Sequence, residues 1–186
     1  MQRELRDPDV QVLAAIAGEL EVDYAGGDLG WMGSPFAWIK TRPSRQIGTI
    51  GEKLVAGWCA AQDLDVTKAA DSDADRVIEG LRVEIKFSTL WESGFYKFQQ
   101  LRDQRYDVAI CLGISPFDAH CWVLQKEFIM RSIGKVPGLT PQHGGSRGSD
   151  TAWLQVNPSA VPAWLRPFGG RLRDALRLLK DLSGRR

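Results

Sequence analysis

The stretch Asp71-Ser72-Asp73-Ala74-Asp75-Arg76-Val77-Ile78-Glu79-Gly80-Leu81-Arg82-Val83-Glu84-Ile85-Lys86-Phe87-Ser88 decides the fold. β-Branched residues cluster on both sides of Glu79-Gly80, a two-residue turn signal, so the segment reads as a β-hairpin. Counting outward from that turn sets Ile78 opposite Leu81, Val77 opposite Arg82, Arg76 opposite Val83 and Asp75 opposite Glu84. Opposed residues share a face with Cβ atoms ~5 Å apart. Lys86 lies two residues beyond Glu84 and joins that face, because side chains alternate along a strand. One face of the hairpin therefore gathers Asp75, Glu84 and Lys86. The other carries Ile78, Val83, Ile85 and Phe87 and is expected in the core.

Two carboxylates ~5 Å apart repel unless a positive charge lies between them. A divalent cation meets that need, and hard oxygen ligands with positions left for water and phosphate suit Mg²⁺, with Mn²⁺ expected to substitute. Lys86 beside the cation would orient or deprotonate a water and stabilise a phosphorane-like transition state. The chemistry implied is metal-assisted phosphodiester hydrolysis. The plain alternative is a solvent-facing strand with a cross-strand ion pair.

Working outward, residues 8–20 read as a helix, with Pro8 at its first position and Val10, Leu13, Ala14, Ala17 and Leu20 at helical spacing. Residues 24–45 read as loop, broken by glycines and prolines. A second helix is expected over 46–62 and a short strand over 64–68. Residues 96–105 read as a helix. Residues 106–114 form a continuous apolar run typical of a central strand covered on both faces. A partner strand is expected over 119–125, a short helix over 126–133, a loop over 137–149, a strand over 151–156 and an amphipathic helix over 171–182. The expected class is α/β (α+β): a mixed central sheet flanked by helices. The organisation expected is one domain, with an N-terminal helical segment (1–30), a catalytic core (31–156) and a C-terminal helix (157–186).

The 186 residues, 44% hydrophobic and 25% charged, exclude disordered and collagen-like classes. No apolar run approaches the ~18 residues of a membrane span, and the first eight residues lack a signal-peptide core. Cys59, Cys111 and Cys121 form no CxxC pair and read as reduced, buried thiols of a cytoplasmic protein. Two histidines are too few for a multi-histidine metal site. The net charge is +1, unlike the strongly basic balance of many nucleic-acid binders. That sum conceals an uneven distribution: residues 1–30 carry a net of −5 and residues 163–186 a net of +5.

Asp75 followed by Glu84-Ile85-Lys86 resembles the motif of the PD-(D/E)xK nucleases, specifically type II restriction endonucleases and their relatives. The resemblance extends to Gly48-Thr49-Ile50-Gly51-Glu52-Lys53, similar to the helix that supplies an extra acid in many members. It also takes in residues 98–107 with the apolar strand after them, so it spans about 31–156. It implies a restriction-endonuclease-like core, with Asp75 and Glu84 as metal ligands, Lys86 as the catalytic lysine and Glu52 as an accessory acid. Ala74 stands where the motif has Pro, which leaves Asp73 as a rival for the first acid; the hairpin register favours Asp75.

The implied substrate is double-stranded DNA. Lys40, Arg42 and Arg45 precede the Glu52 helix and are candidates to grip its backbone. Gln99 and Gln100 are candidates for the lysine region or a phosphate. In the Gly- and Ser-rich segment 143–150, His143, Ser146 and Arg147 are candidates for bases or phosphate. The reading that follows is a Mg²⁺-dependent type II restriction enzyme acting as a homodimer. Its rivals are a junction resolvase or nickase on the same fold, and a non-catalytic DNA-binding module.

Overall fold

Strands β2 (Arg76–Ile78) and β3 (Leu81–Thr89) form the expected hairpin in the computed structural model, which describes residues 8–24, 29–142 and 151–184. Glu79 and Gly80 both have positive φ, 49° and 77°, as a two-residue turn matched to strand twist requires. The register is the one counted from the sequence: Ile78 opposite Leu81, Val77 opposite Arg82 and Arg76 opposite Val83. β1 (Val66–Lys68) pairs with β2, and β3 runs on in parallel with β5 (Val108–Ile114). β6 (Ala119–Gln125) and β9 (Gly169–Arg171) complete a six-stranded mixed sheet in the order β1-β2-β3-β5-β6-β9.

A parallel pair needs a crossover between its strands. Here the crossing segment is itself a strand, β4 (Tyr96–Arg102), which joins β8 (Thr151–Val156) and β7 (Leu139–Pro141) in a second sheet. The six-stranded sheet is thus covered differently on its two faces. Val83, Ile85, Ile110 and Val123 pack under the helices α3 (Ser44–Ala60) and α5 (Leu172–Ser183), against Val55, Cys59, Ala175 and Leu179. Ala109, Cys111, Trp122 and Leu124 pack against Tyr96, Phe98 and Leu154 of the second sheet and Ile129 of α4 (Lys126–Ser132). β5 lies between these layers and is buried at every position. The fold class is therefore the expected one, a mixed central sheet flanked by helices, with a second sheet on the face opposite α3.

In place of the helix expected over 96–105, Tyr96–Arg102 form a strand. The misleading signal is the three-residue spacing of Phe98 and Leu101, which looks helical. It arises from a β-bulge: pairing with β8 shifts between those residues, and Gln100 has φ 59°. The extra residue leaves Gln99 and Gln100 exposed side by side. Other differences are smaller. α1 (Pro8–Tyr24) runs four residues longer than expected, and a short α2 (Ala37–Lys40) interrupts the expected loop. α3 starts at Ser44, directly after Pro43, whose φ of −55° suits a helix entrance.

One glycine fixes how α3 lies on the sheet. A Cβ at Gly51 would sit 2.2 Å from Phe87 Cβ, so only glycine lets the helix approach β3 this closely. The next residue on the helix is Glu52. Among the described residues, no helix is long and apolar enough to cross a membrane.

Candidate active site

The ladder between β2 and β3 ends at Arg76, while β3 continues to Thr89. At the end of the ladder the Asp75 N–H donates to the Val83 carbonyl (2.9 Å). The Asp75 carboxylate then accepts the Ile85 N–H at Oδ2 (2.7 Å). A side chain thereby takes the place of the next strand residue and satisfies a backbone donor that would otherwise be unpaired. Past Ile85, among the described residues, this edge of β3 has no neighbouring strand in the sheet. A cavity of about 430 Å³ opens there, between the first turns of α3 and the bulged strand β4.

Asp75, Lys86 and Glu52 line this cavity. Glu84 lies beneath it, only 6% exposed, and its Oε1 is 2.5 Å from Lys86 Nζ. Burial pushes the Glu84 carboxyl above its ordinary value, the Lys86 ammonium pulls it back, and the Asp75 charge raises it further. Glu52 is raised in the same way, by burial first and then by Asp75, against the pull of Arg76. Arg76 ties the two acidic positions together: Nη2 is 3.5 Å from Glu52 Oε2, and Nη1 donates to the Asp75 carbonyl (2.6 Å). Asp75 thus stands between two carboxylates, both of which its charge disfavours.

Among the described residues, no group of three or more His, Cys, Asp or Glu side chains forms a ready metal cage. The donor set still fits Mg²⁺, which is usually held by one or two carboxylates and keeps several waters. Asp75 and Glu84 offer hard oxygens, and burial together with the Asp75 charge still outweighs the pull of Lys86 on the Glu84 carboxyl. The set does not fit a soft, thiolate-preferring metal: Cys59, Cys111 and Cys121 are all buried, and burial lifts the first two thiols to about 11 and about 12.

The other candidates separate. Gln99 and Gln100 line the same cavity, brought together by the bulge. Asp73, the rival first acid, accepts Arg105 Nε at Oδ2 (2.5 Å) and does not line the cavity. Lys40 lies over the Trp31 ring (5.4 Å) and Arg42 over Trp38 (5.8 Å). Arg42 and Arg45 line a second groove along α3, together with Trp38, Thr49 and Lys53. His143, Ser146 and Arg147 fall outside the described residues.

The cavity also contains residues that the sequence reading did not single out. Ser88 continues the alternation from Glu84 and Lys86, and its Oγ accepts the Lys97 N–H (2.9 Å). Period two alone would have found it. Trp91 and Lys97 stand on the cavity wall; Trp91 sits in the turn between β3 and β4, and Lys97 on β4 is tied both to Ser88 of β3 and to Gln155 of β8.

No known protein family and no curated protein matches this sequence. Among solved structures the chain is similar to the bacterial homing endonuclease I-Ssp6803I. The TM-score is 0.47 and the sequence identity 14%, covering 77% of this chain and 96% of that one.

Proposed function

We propose that this chain is a divalent-cation-dependent DNA endonuclease of the PD-(D/E)xK type. The observation that carries the reading is the convergence of Asp75, Glu84 and Lys86 at the open edge of β3, beside a cavity that Glu52 also lines. Asp75 and Glu84 would hold the cation, which when bound supplies Lewis-acid polarisation of the phosphate and a more acidic water.

The chain's own residues do the rest. Lys86 Nζ, held by Glu84 Oε1, presents an ammonium to a phosphate oxygen where negative charge builds in the transition state. It also orients the attacking water. Asp75, which lines the cavity, is fixed by the Ile85 N–H at Oδ2, and its other oxygen, among the described residues, carries no such backbone bond to compete with a cation. Glu52, held by Arg76, offers an acceptor on the opposite wall for a proton or a water. Arg42, Arg45 and Lys53 make the second groove on α3 a place for a neighbouring stretch of phosphate backbone.

The finer reading is a type II restriction enzyme acting on double-stranded DNA as a homodimer. One catalytic centre per chain cuts one strand, and two-fold dimers match symmetric sites. The test is incubation with long unmodified DNA and Mg²⁺, beside Lys86→Ala. Discrete fragments that disappear in the variant support the restriction reading. Nicking of branched DNA alone moves it to a structure-specific nuclease. No cleavage of modified or unmodified DNA by the wild type sinks the nuclease reading.

A further inference from the structure

The turn between β3 and β4 carries a group that the hydrolytic residues leave unused. Trp91 is 47% exposed although it lines the cavity. Its backbone is fixed: Trp91 N–H donates to the Phe95 carbonyl (3.0 Å) and Gly94 N–H to the Trp91 carbonyl (2.9 Å). Lys97 Nζ lies over one face of the ring, 3.7 Å from its centre, a cation–π contact that orients the indole and holds a positive charge against that face. The β4 bulge turns Gln99 and Gln100 toward the same space. Gln100 is preset as well, because its Oε1 accepts Arg102 Nη2 (2.9 Å) and its backbone is held at φ 59°.

An aromatic platform, an ammonium and two amides within one cavity match the parts of a nucleotide. We propose that Trp91, Lys97, Gln99 and Gln100 form a nucleobase subsite, in which a base stacks on Trp91, the two amides meet its edge, and Lys97 takes the adjoining phosphate. The inference rests on the endonuclease reading and narrows its substrate. A base inside an intact duplex stacks on its neighbours and shows only its groove edges. An indole platform engages a base that is unpaired or extruded from the stack. The substrate class is therefore DNA with such a base beside the phosphate to be cut.

The test uses duplex oligonucleotides that carry 2-aminopurine either paired or opposite a gap. Ca²⁺ replaces Mg²⁺, so that binding is read without cleavage. Wild type is expected to bind the unpaired form about tenfold tighter than the paired form, and to quench its fluorescence. Trp91→Ala should lose both the preference and the quench, whereas Trp91→Phe should keep most of the preference. Equal affinity of the wild type for the two duplexes overturns the proposal, and so does a quench that survives in Trp91→Ala. The wild-type comparison stands even if Trp91→Ala folds poorly. Mg²⁺ cleavage and its loss in Lys86→Ala are scored separately. Cleavage without base preference rejects the subsite alone, and neither binding nor cleavage rejects both.

Discussion

The two faces of strand β3 follow different rules although their residues alternate along nine positions. Val83, Ile85 and Phe87 face α3 and fit closely, with Gly51 admitting the Phe87 ring. Glu84, Lys86 and Ser88 face the other way and satisfy one another and the β4 backbone through polar contacts. The first face is held by dry packing, so a volume change there should register as stability. The second carries a buried acid at an electrostatic disadvantage, so a charge change there should register as chemistry. A single strand can serve both ends because its pleat separates them by one residue.

The sharpest way to break this contrast is a pair of truncations. Lys86→Ala is expected to reduce Mg²⁺-dependent cleavage at least ~100-fold, a loss far beyond the drop in stability that follows from leaving buried Glu84 without its ammonium partner. Val83→Ala, one residue from Glu84 in sequence but on the opposite face, is expected to lose about 2–3 kcal/mol of stability. The folded fraction of that variant should keep near-normal turnover, as read by denaturant unfolding alongside a cleavage assay. Equal effects of both changes on both readouts would end the distinction.

A second pair compares the buried and the exposed side of α3. Gly51→Ala drives a methyl group into Phe87 Cβ and should destabilise the chain by about 1–3 kcal/mol. It should also weaken cleavage, since Glu52 moves with the helix. Gly57→Ala on the same helix meets nothing within 4 Å and should stabilise it by about 0.5–1 kcal/mol. Opposite signs in chemical denaturation are the expected result.

The smallest effect concerns pH. Glu84 and Glu52 both have carboxyls raised above their ordinary value of 4.5. They hold protons more tightly in the folded chain than in the unfolded one. The stability this contributes is complete below about 4.5 and is lost as pH rises through the raised values. In chelator, the melting temperature should therefore fall as pH climbs above that point. Mg²⁺ added at neutral pH should restore a few degrees, since ~1 kcal/mol moves the midpoint of a chain this size by about 2–4 °C. Glu84→Gln should blunt the Mg²⁺ response. A midpoint indifferent to Mg²⁺ at every pH would separate Asp75 and Glu84 from any cation.

Where the sequence could be read, the information was local. Glu79-Gly80 sets the hairpin register within four residues, and the unbroken apolar run of β5 marks a strand covered on both sides. Residues 96–105 misled because a bulge gives Phe98 and Leu101 a helical spacing, and only pairing with Leu154 and Ala152 of β8 settles the matter. Trp91 and Lys97 stayed hidden because reading 96–105 as a helix put the β3–β4 turn that holds them in the wrong place; in the structure Trp91 is fixed by Phe95 and Lys97 by Ser88. β9 is three residues long and begins with two glycines, too short a signal for alternation to register. The Gly51–Phe87 contact joins positions 36 apart and leaves no mark in either neighbourhood.

The long reach of β4 also sets an order of assembly. Asp75 meets Ile85 across ten residues, a closure that hairpins complete in about 1–10 μs. The Leu101 pairing with Ala152 spans five times that distance, and non-local contacts of this kind form late. During synthesis at about 5–20 residues per second, the residues of the hairpin are made seconds before those of β8. The hairpin that carries the acids can therefore be tried long before β4 finds β8, and the second sheet behind the cavity is complete only once Val156 has been made.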